Sequence, residues 1–488
     1  MSRPNIVWVH TDSHDGRVMG CMGHPAMSRA TPNIDALASR GAMFRRFYSN
    51  NPICLPSRAS MITSTYTYQN EAWNNYRGIP DDRPNLYTYF DQQGYDTAII
   101  GKTDYLSGNH TIRARVSAWT RSAGINRPAY NEGGPEVLEG DVERVHERDW
   151  AIFDRGIAYL RKQSARPERP FMLYLGPGIP HPKFVTSERY LKLIDEAGVD
   201  IPKQDDHQNH PVMAYNRMSK NWTHGFDPEM VKLTRRVYFA MVAELDAMMG
   251  MLMRAMDELG LWENTYLVFS SDHGEMALEH NNWYKMAMFE GAERVPFIAA
   301  GPGIVPGAAT DNLASLIDVY PTLLDMAGLP EPEGFMGQSL LPELRGQPSS
   351  RQDWVLSEYH DTTAMTGMIM LCQGHWKYIA YPGYRPQLFD LAADPDELHD
   401  LAAKRPEVVA RMDAKLREIV DYEAVDAKVK AYDKRAFRRW RQEQKGLGTY
   451  EKNMALVYSG WDEITPEMAQ PWTEEDERRV VAWMNDQD

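Results

Sequence analysis

The sequence predicts an α/β fold with a mixed, mainly parallel sheet sandwiched by helices, followed by a smaller C-terminal α+β subdomain that contains an antiparallel sheet. Apolar runs of strand length alternate with helical patterns up to about residue 330. Polar clusters follow these runs, at the strand ends where open α/β sheets place their sites. Beyond residue 330 the chain becomes rich in Pro, Gly and Glu, and short strands then recur, which favours a separate antiparallel sheet.

The first two predicted strands flank a short helix. Residues 5–11 form an apolar run that suits a buried parallel strand and ends at Asp12. Residues 31–41 combine a threonine cap, a proline at the first helical position and a closing glycine, so we predict a helix, with the second strand at 42–48. A carboxylate just past a central strand is a candidate metal ligand, although a turn residue or a helix cap is the alternative for Asp12.

Three further strands are predicted at residues 95–102, 171–175 and 265–271, with helices at 150–162 and 228–259 between them. The first of these strands ends at Lys102, and the second leads to His181 in a Pro-His-Pro loop. Asp272 and His273 follow the third. Because these polar residues all follow strands of a mainly parallel sheet, we expect one site at one edge to collect them.

A small reactive side chain stands at the start of another predicted helix. In residues 54–63, CLPSRASMIT, Pro56 fits the first helical turn, which places Cys54 at or just before the helix N-terminus. Backbone N–H groups and the helix dipole attract an anion to such a position. The alternative is a small buried hydrophobic residue, which is our interpretation of Cys21 and Cys372.

Composition excludes several classes of protein. The formal charge of −15 and the pI near 5.5 leave no basic stripe for nucleic acid. Three scattered cysteines are too few for a disulfide framework. The sequence shows no signal peptide, and no run reaches transmembrane length. We therefore expect no nucleic-acid or membrane partner, and a protein that is cytoplasmic as given or trimmed from an exported form.

The C-x-P-S-R stretch at 54–58 resembles the signature of the type I sulfatases, formylglycine-dependent enzymes of the alkaline phosphatase superfamily. The resemblance runs nearly from end to end. Its further stretches are TDSHDGR (11–17), SNNPIC (49–54), EAWNNY (71–76), GKTDYLSGNH (101–110), SSDHGE (270–275), YKM (284–286), HWKYIAY (375–381), LFDL (388–391) and DPDE (394–397). The resemblance implies an alkaline phosphatase-like fold, calcium as the usual metal, and oxidation of Cys54 to Cα-formylglycine by the formylglycine-generating enzyme.

The resemblance also implies a role for each candidate residue. One hydroxyl of the hydrated formylglycine attacks sulfur on a divalent metal, and the other then expels sulfate. Fixed cations stabilise the charge on the sulfate oxygens, although a lysine such as Lys285, taken alone, is usually a surface residue. His181 is the general acid for the leaving alcohol or, alternatively, a loop histidine bonded to the backbone. The implied metal ligands are Asp12, Cys54, Asp272 and His273, and the implied cations are Arg58, Lys102 and Lys285.

Three departures from the family pattern affect these roles. Sulfatases usually carry two adjacent Asp residues after the first strand, whereas Thr11 precedes Asp12 here, which admits manganese, magnesium or zinc beside calcium. The common Gly-Lys-x-His becomes GKTD at 101–104, so His110 or Asp104 is the candidate substitute for the missing histidine. The signature ends in Thr-Gly in the family but in Thr-Ser at 63–64 here.

We expect hydrolysis of a sulfate monoester, either a small sulfated saccharide or an aryl sulfate, and most specifically the 2-O-sulfate of a uronic acid such as glucuronate in a sulfated glycan. Asn75, or alternatively Asn74, is a candidate contact to sulfate, and His110 is a further substrate-binding candidate. Arg113 and Arg115 are candidates for the uronate carboxylate or form a solvated surface pair. The alternatives are a phosphodiesterase or phosphonate monoester hydrolase with the same nucleophile, and an inactive glycan-binding protein.

The predicted domains follow from these patterns. Residues 1–350 form the catalytic sulfatase domain and residues 351–431 the antiparallel-sheet subdomain. Residues 432–488 form an extension that packs on the core or on a neighbouring subunit. In the second case the protein would be a homo-oligomer.

Overall fold

The computed structural model describes residues 3–107, 123–125, 134–166, 169–203, 210–220, 222–223, 225–361, 364–455 and 471–486. Its strands are β1 (Asn5–Thr11), β2 (Ala42–Phe44), β3 (Phe47–Tyr48), β4 (Asp96–Gly101), β5 (Glu136–Leu138), β6 (Phe171–Gly176), β7 (Val185–Ser187), β8 (Thr265–Ser271), β9 (Phe297–Ala300), β10 (Ala308–Thr310), β11 (Ala314–Ser315), β12 (Trp354–Tyr359), β13 (Met368–Gln373), β14 (Trp376–Ala380) and β15 (Gln387–Asp390). Its helices are α1 (Pro32–Arg40), α2 (Cys54–Thr63), α3 (Thr67–Asn70), α4 (Leu86–Gln92), α5 (Glu147–Ser164), α6 (Glu188–Leu191), α7 (Pro211–Ser219), α8 (Pro228–Glu258), α9 (Glu290–Glu293), α10 (Val319–Ala327), α11 (Leu341–Leu344), α12 (Pro406–Ile419), α13 (Tyr422–Gly446), α14 (Tyr450–Ala455) and α15 (Glu474–Asn485).

The large sheet has the strand order β10-β2-β9-β8-β1-β6-β4. Strand β1 pairs in parallel with β8 and β6, and β6 pairs in parallel with β4, whereas β9 runs antiparallel to both of its neighbours. The sheet is therefore mixed and mainly parallel, as predicted. Its register sets Thr11 opposite Ser271 and Gly101 opposite Gly176, so the residues that follow these strands emerge together at one edge.

Strand β1 buries both of its faces. Val7 and Val9 belong to the core on one side of the sheet, which includes apolar residues of α1, α5 and α8. Ile6 and Trp8 belong to the core on the other side, together with residues of α2 and α10. Burial on both faces explains why this strand reads as a continuous apolar run rather than as an alternation.

Helix α1 forms as predicted, but its cap does not. Thr31 makes no side-chain cap hydrogen bond, because its hydroxyl accepts from the Gly20 amide at 2.8 Å instead. The free amides of Asn33 and Ile34 donate to Asp246 Oδ1, at 2.9 and 2.7 Å, from the distant helix α8. A carboxylate from a distant part of the chain thus replaces the local cap that the sequence predicted.

The predicted second strand at 42–48 is two strands. Strand β2 pairs in the large sheet, whereas β3 pairs with β11 in a separate two-stranded sheet. The chain changes sheet at Arg45 and Arg46, where the Arg45 amide donates to Thr310 O and the Ala314 amide donates to Arg46 O. This bend carries residues 49–53 towards the carboxyl ends of the parallel strands, where the Ser49 hydroxyl donates to the carbonyl of Asp272 at 2.6 Å.

The C-terminal part contains the predicted antiparallel sheet, with strand order β12-β13-β14-β15. Its apolar core includes residues of α12. Helix α13 spans the predicted boundary at residue 432 without a break, and its Phe437 and Trp440 pack with residues of α14 and α15 and with Ile125, which lies between β4 and β5 in the sequence. In the parts of the chain that the structure describes, no helix has the length and apolarity required to cross a membrane.

Candidate active site

Four buried side chains converge at the carboxyl edge of the large sheet. Asp12 follows β1, Asp272 and His273 follow β8, and Cys54 is the first residue of α2. One ligand atom from each of the four lies within 4.8 Å of the others, and all four side chains are fully buried. The structure therefore brings together the complete set of residues predicted for the metal.

The donor set suits a divalent ion. His273 donates from Nδ1 to the carbonyl of Gly274 at 3.0 Å, so its Nε2 lone pair is available on the side where Cys54 Sγ lies 3.2 Å away. Burial lowers the pKa of His273 despite the nearby Asp272, so the ring is a neutral imidazole and can act as a ligand. The two carboxylates suit calcium, magnesium or manganese, and the imidazole also suits zinc.

Arg58 is completely buried one turn after Cys54 on the same helix. Its Nε donates to Asp272 Oδ2 at 2.9 Å, and its other nitrogens donate to Tyr174 Oη at 2.9 Å and to Thr11 O at 3.1 Å. The hydrogen-bond donors of the guanidinium are thus directed at protein groups. Arg58 is thus placed to orient Asp272 and the end of β1, in addition to supplying positive charge.

Two lysines flank the cluster. Lys102 Nζ lies 2.5 Å from Asp12 Oδ2 and 3.1 Å from Asp104 Oδ2. Burial alone would lower the pKa of Lys102, but Asp12, together with smaller contributions from Cys54 and Asp104, outweighs burial and raises the pKa, so the ammonium stays charged. Lys285 is 3% exposed, and its Nζ lies 3.5 Å from Ser13 Oγ, next to Asp12. Burial therefore excludes the alternative of a surface lysine at position 285.

His181 lies in the loop after β6. Its Nδ1 donates to the carbonyl of Pro182 at 2.7 Å, which is the backbone bond that the alternative interpretation expected. Burial and then the charge of Lys285 lower the pKa of His181, while Asp12 opposes the shift, so the imidazole is neutral with its proton on Nδ1. The same charges show that the ring lies within electrostatic reach of the cluster.

A carboxylate that the sequence analysis missed holds this loop. Asp149, in the first turn of α5, accepts from the amides of Gly178 at 2.8 Å and Ile179 at 3.0 Å. A sequence signal did exist, since acidic residues concentrate in first helical turns, but nothing local points from Asp149 to residue 178.

We expect Asp149→Ala to reduce kcat/KM about 10-fold, because displacement of His181 by a fraction of an ångström misaligns proton transfer. It should also lower the free energy of unfolding by about 1–3 kcal/mol, since two buried amides lose their acceptor. Steady-state kinetics and urea unfolding measure both effects. Asp154→Ala on the same helix, which removes an exposed pair with Arg144, is the matched control and should change neither quantity. Wild-type kcat/KM in Asp149→Ala would contradict the positioning role.

Asn75, rather than Asn74, lies beside the start of α2. Its Oδ1 accepts from the backbone amide of Leu55, the residue after Cys54, at 3.0 Å. The backbone amide of Asn75 donates to Asp361 Oδ2 at 2.9 Å. Asn74 is fully buried and its Oδ1 closes a local turn. Asp361 follows β12, so the C-terminal subdomain contributes to the site. The sequence analysis missed Asp361. The signal that identified Asp12, a polar residue just after an apolar strand, was also present there.

Comparisons with known proteins decide the family. Residues 4–329 match the Sulfatase family, and residues 278–422 match the family described as N-sulphoglucosamine sulphohydrolase, C-terminal. The chain belongs to the sulfatase family. Arylsulfatase K from Homo sapiens is 40% identical over 470 residues, which cover 90% of this chain and 86% of that relative. The predicted resemblance is therefore confirmed, and the chain is a sulfuric ester hydrolase.

Solved structures share the fold of this sulfatase. A 2-O GAG sulfatase aligns with a TM-score of 0.69 and 24% identity, covering 88% of this chain and 94% of the other. The phosphonate monoester hydrolase of Agrobacterium radiobacter aligns with a TM-score of 0.71 and 23% identity, covering 88% of this chain and 96% of the other. At these identities the alignments confirm the alkaline phosphatase-like fold alone.

The structure explains one departure from the family pattern, at Ser64, and does not describe three of the candidate substrate-binding residues. Ser64, where sulfatases have Gly, is the left-handed C-cap of α2 with φ of 52°, which explains the family's Gly. Here the Ser64 hydroxyl donates to Ile317 O at 2.8 Å and so stabilises the strained turn. His110, Arg113 and Arg115 lie outside the described residues of the sulfatase, so their roles stay predictions.

Proposed function

We propose that this sulfatase removes the 2-O-sulfate of a uronic acid in a sulfated glycan, with Cys54 converted to formylglycine as the nucleophile. The observation that carries the proposal is the buried convergence of Cys54 with Asp12, Asp272 and His273. The uronate is proposed from the sequence resemblance. A protein of the same fold that is described as a 2-O GAG sulfatase is consistent with it.

The residues present fit the two groups that the family implies. Asp12, Asp272 and His273 would hold the divalent ion together with residue 54, and the bound ion would supply a Lewis acid for the sulfate oxygens. Hydrated formylglycine would supply two hydroxyls, one for attack on sulfur and one for expelling sulfate.

The protein's own residues then perform three tasks. Lys102 and Lys285 place two positive charges beside the cluster, where a low dielectric strengthens their attraction for sulfate oxygens. Arg58 keeps Asp272 in one orientation through the 2.9 Å bond to Oδ2. His181 is neutral at rest, with its Nδ1 proton held by Pro182 O, so its Nε2 must first take up a proton and can then deliver it to the leaving alcohol. Its lowered pKa makes the protonated ring a strong acid that is scarcely populated at neutral pH.

Removal of the metal tests the ligand set. Exhaustive chelation should reduce sulfate release about 100-fold or more, since two buried carboxylates would then face the sulfate without their cation. The thermal midpoint should fall as well, because an ion that binds only the folded state stabilises it. Calcium is expected to restore both quantities, with manganese, magnesium and zinc compared in parallel. Unchanged activity and an unchanged midpoint in protein shown to be metal-free would contradict the assignment.

The decisive experiment has two steps. Mass spectrometry of the peptide that contains residue 54 first establishes conversion of Cys54. A panel of a 2-sulfated uronate disaccharide, an aryl sulfate and a phosphodiester is then compared by kcat/KM. We expect the uronate to be the best substrate. A higher kcat/KM for the aryl sulfate would overturn the uronate assignment. A higher kcat/KM for the phosphodiester would instead support the alternative of a phosphodiesterase. Release of sulfate from any ester excludes a pure glycan-binding protein.

A further inference from the structure

We propose that Asp104 is a positioning residue of the active site that acts through its ion pair with Lys102. This inference rests on the proposed function, in which Lys102 binds the sulfate group. Strand β4 ends at Gly101, and Asp104 follows three residues later, so Asp104 is brought to the same edge of the sheet as the buried cluster.

The first observation is the position of the Lys102 ammonium between two carboxylates. It lies 2.5 Å from Oδ2 of the buried Asp12 and 3.1 Å from Oδ2 of the partly exposed Asp104. The Lys102 side chain is 23% exposed and that of Asp104 is 18% exposed, whereas Asp12 is fully buried. The pair therefore lies on a side of the cluster that solvent, and hence a substrate, can reach.

The second observation is that both ends of Lys102 are held. Its carbonyl accepts from Tyr174 Oη at 2.8 Å and from Arg58 Nη1 at 3.3 Å, which fixes the backbone. The ammonium is held by Asp12 and Asp104. Without Asp104, the flexible four-carbon stem would be oriented by Asp12 alone, and Asp12 is a proposed metal ligand. Asp104 thus gives the ammonium a second fixed partner.

The third observation is the backbone of Asp104, which has φ of 38°. This left-handed conformation is disfavoured for residues with a Cβ, and Gly or Asn adopts it more readily than most other residues. From this conformation the carboxylate contacts the side chain of Lys102, only two positions earlier in the sequence. A turn alone does not require a carboxylate here, whereas the contact to Lys102 does.

The test is a double-mutant cycle of Asp104→Asn and Lys102→Met in the metal-loaded, converted protein. Asparagine preserves the size of the side chain and tolerates the left-handed backbone, so Asp104→Asn should fold with an unchanged or higher thermal midpoint. We expect kcat to fall about 10-fold to 100-fold, because a displaced ammonium no longer meets the developing charge. In the Lys102→Met background the same substitution should have no further effect.

Binding of inorganic sulfate, measured by calorimetry on the same four proteins, gives a readout that needs no turnover. If Asp104 orients Lys102, sulfate binds several-fold more weakly to Asp104→Asn, and this loss disappears in the Lys102→Met background. If Asp104 acts only as a repelling charge, sulfate binds more tightly, which overturns the inference. Asp104→Glu should regain part of the loss, and Asp257→Asn, which removes an exposed charge near the C-terminal end of α8, should change nothing.

These outcomes separate the inference from the proposed function. An Asp104→Asn effect of equal size with and without Lys102 would overturn the inference, and so would the absence of any effect. If wild-type protein released sulfate from no ester, the proposed function would fail, and the sulfate-binding cycle would still decide the role of Asp104.

Discussion

Replacing Cys54 with alanine should reduce sulfate-ester hydrolysis about 10⁴-fold or more, because alanine lacks the thiol that conversion of residue 54 to formylglycine requires. No other described side chain in the cluster can take over: Asp12, Asp272 and His273 are the proposed metal ligands, and Arg58 is engaged by Asp272, Tyr174 and Thr11. The measurement is sulfate release under saturating substrate, together with the mass of the peptide that contains residue 54.

The chain provides a matched control for this substitution. Cys372 is as completely buried as Cys54, but it lies in β13 of the C-terminal subdomain. Cys372→Ala should therefore lose a similar amount of packing, about 1 kcal/mol, and keep full activity. Comparable activity loss in the two variants would assign the effect to folding rather than to chemistry. Wild-type activity in Cys54→Ala would contradict the proposed nucleophile.

The positions of the proposed metal ligands could be predicted because the signals for them lie in short stretches of sequence. Strands β1 and β8 read as buried apolar runs, and Asp12 and Asp272 follow them directly. What the sequence could not supply is the register that sets Thr11 opposite Ser271 and so brings the two carboxylates together. That pairing joins residues far apart in the chain, and it depends on packing on both faces of the sheet.

The missed residues share a different property. Asp149, Asp246 and Asp361 each accept backbone amides that belong to another element, near residues 178, 33 and 75. Such carboxylates satisfy orphan amides of distant turns and helix ends, and neither their type nor their spacing reveals the partner. The orientation of Arg58 was missed for a related reason, because its partners come from three separate strands: Thr11 ends β1, Tyr174 lies in β6 and Asp272 follows β8. Sequence analysis therefore recovers the reacting groups more completely than their supports.

The other large effect is expected on stability. Lys377, in β14, is fully buried and lies 2.8 Å from Glu290 Oε1 and 2.7 Å from Glu397 Oε1. Glu290 begins α9 of the catalytic part, so this ion network joins the small sheet to the large domain. Burial alone would raise the pKa of Glu290, but the charges of Lys377 and Arg294 outweigh it and lower the pKa to about 2.

Lys377→Met should lower the free energy of unfolding by about 3–5 kcal/mol at pH 7, because it leaves two buried carboxylates without their cation. Lys192→Met, which removes an exposed pair with Glu188, should change it by less than about 1 kcal/mol. The depressed pKa of Glu290 stabilises the fold above the ordinary glutamate pKa of about 4.3, and this contribution is lost as the pH falls towards 2. Urea unfolding of wild type and Lys377→Met should therefore differ most at neutral pH and converge in acid. An equal difference at pH 7 and pH 3 would show that Lys377 stabilises the protein by packing rather than by charge.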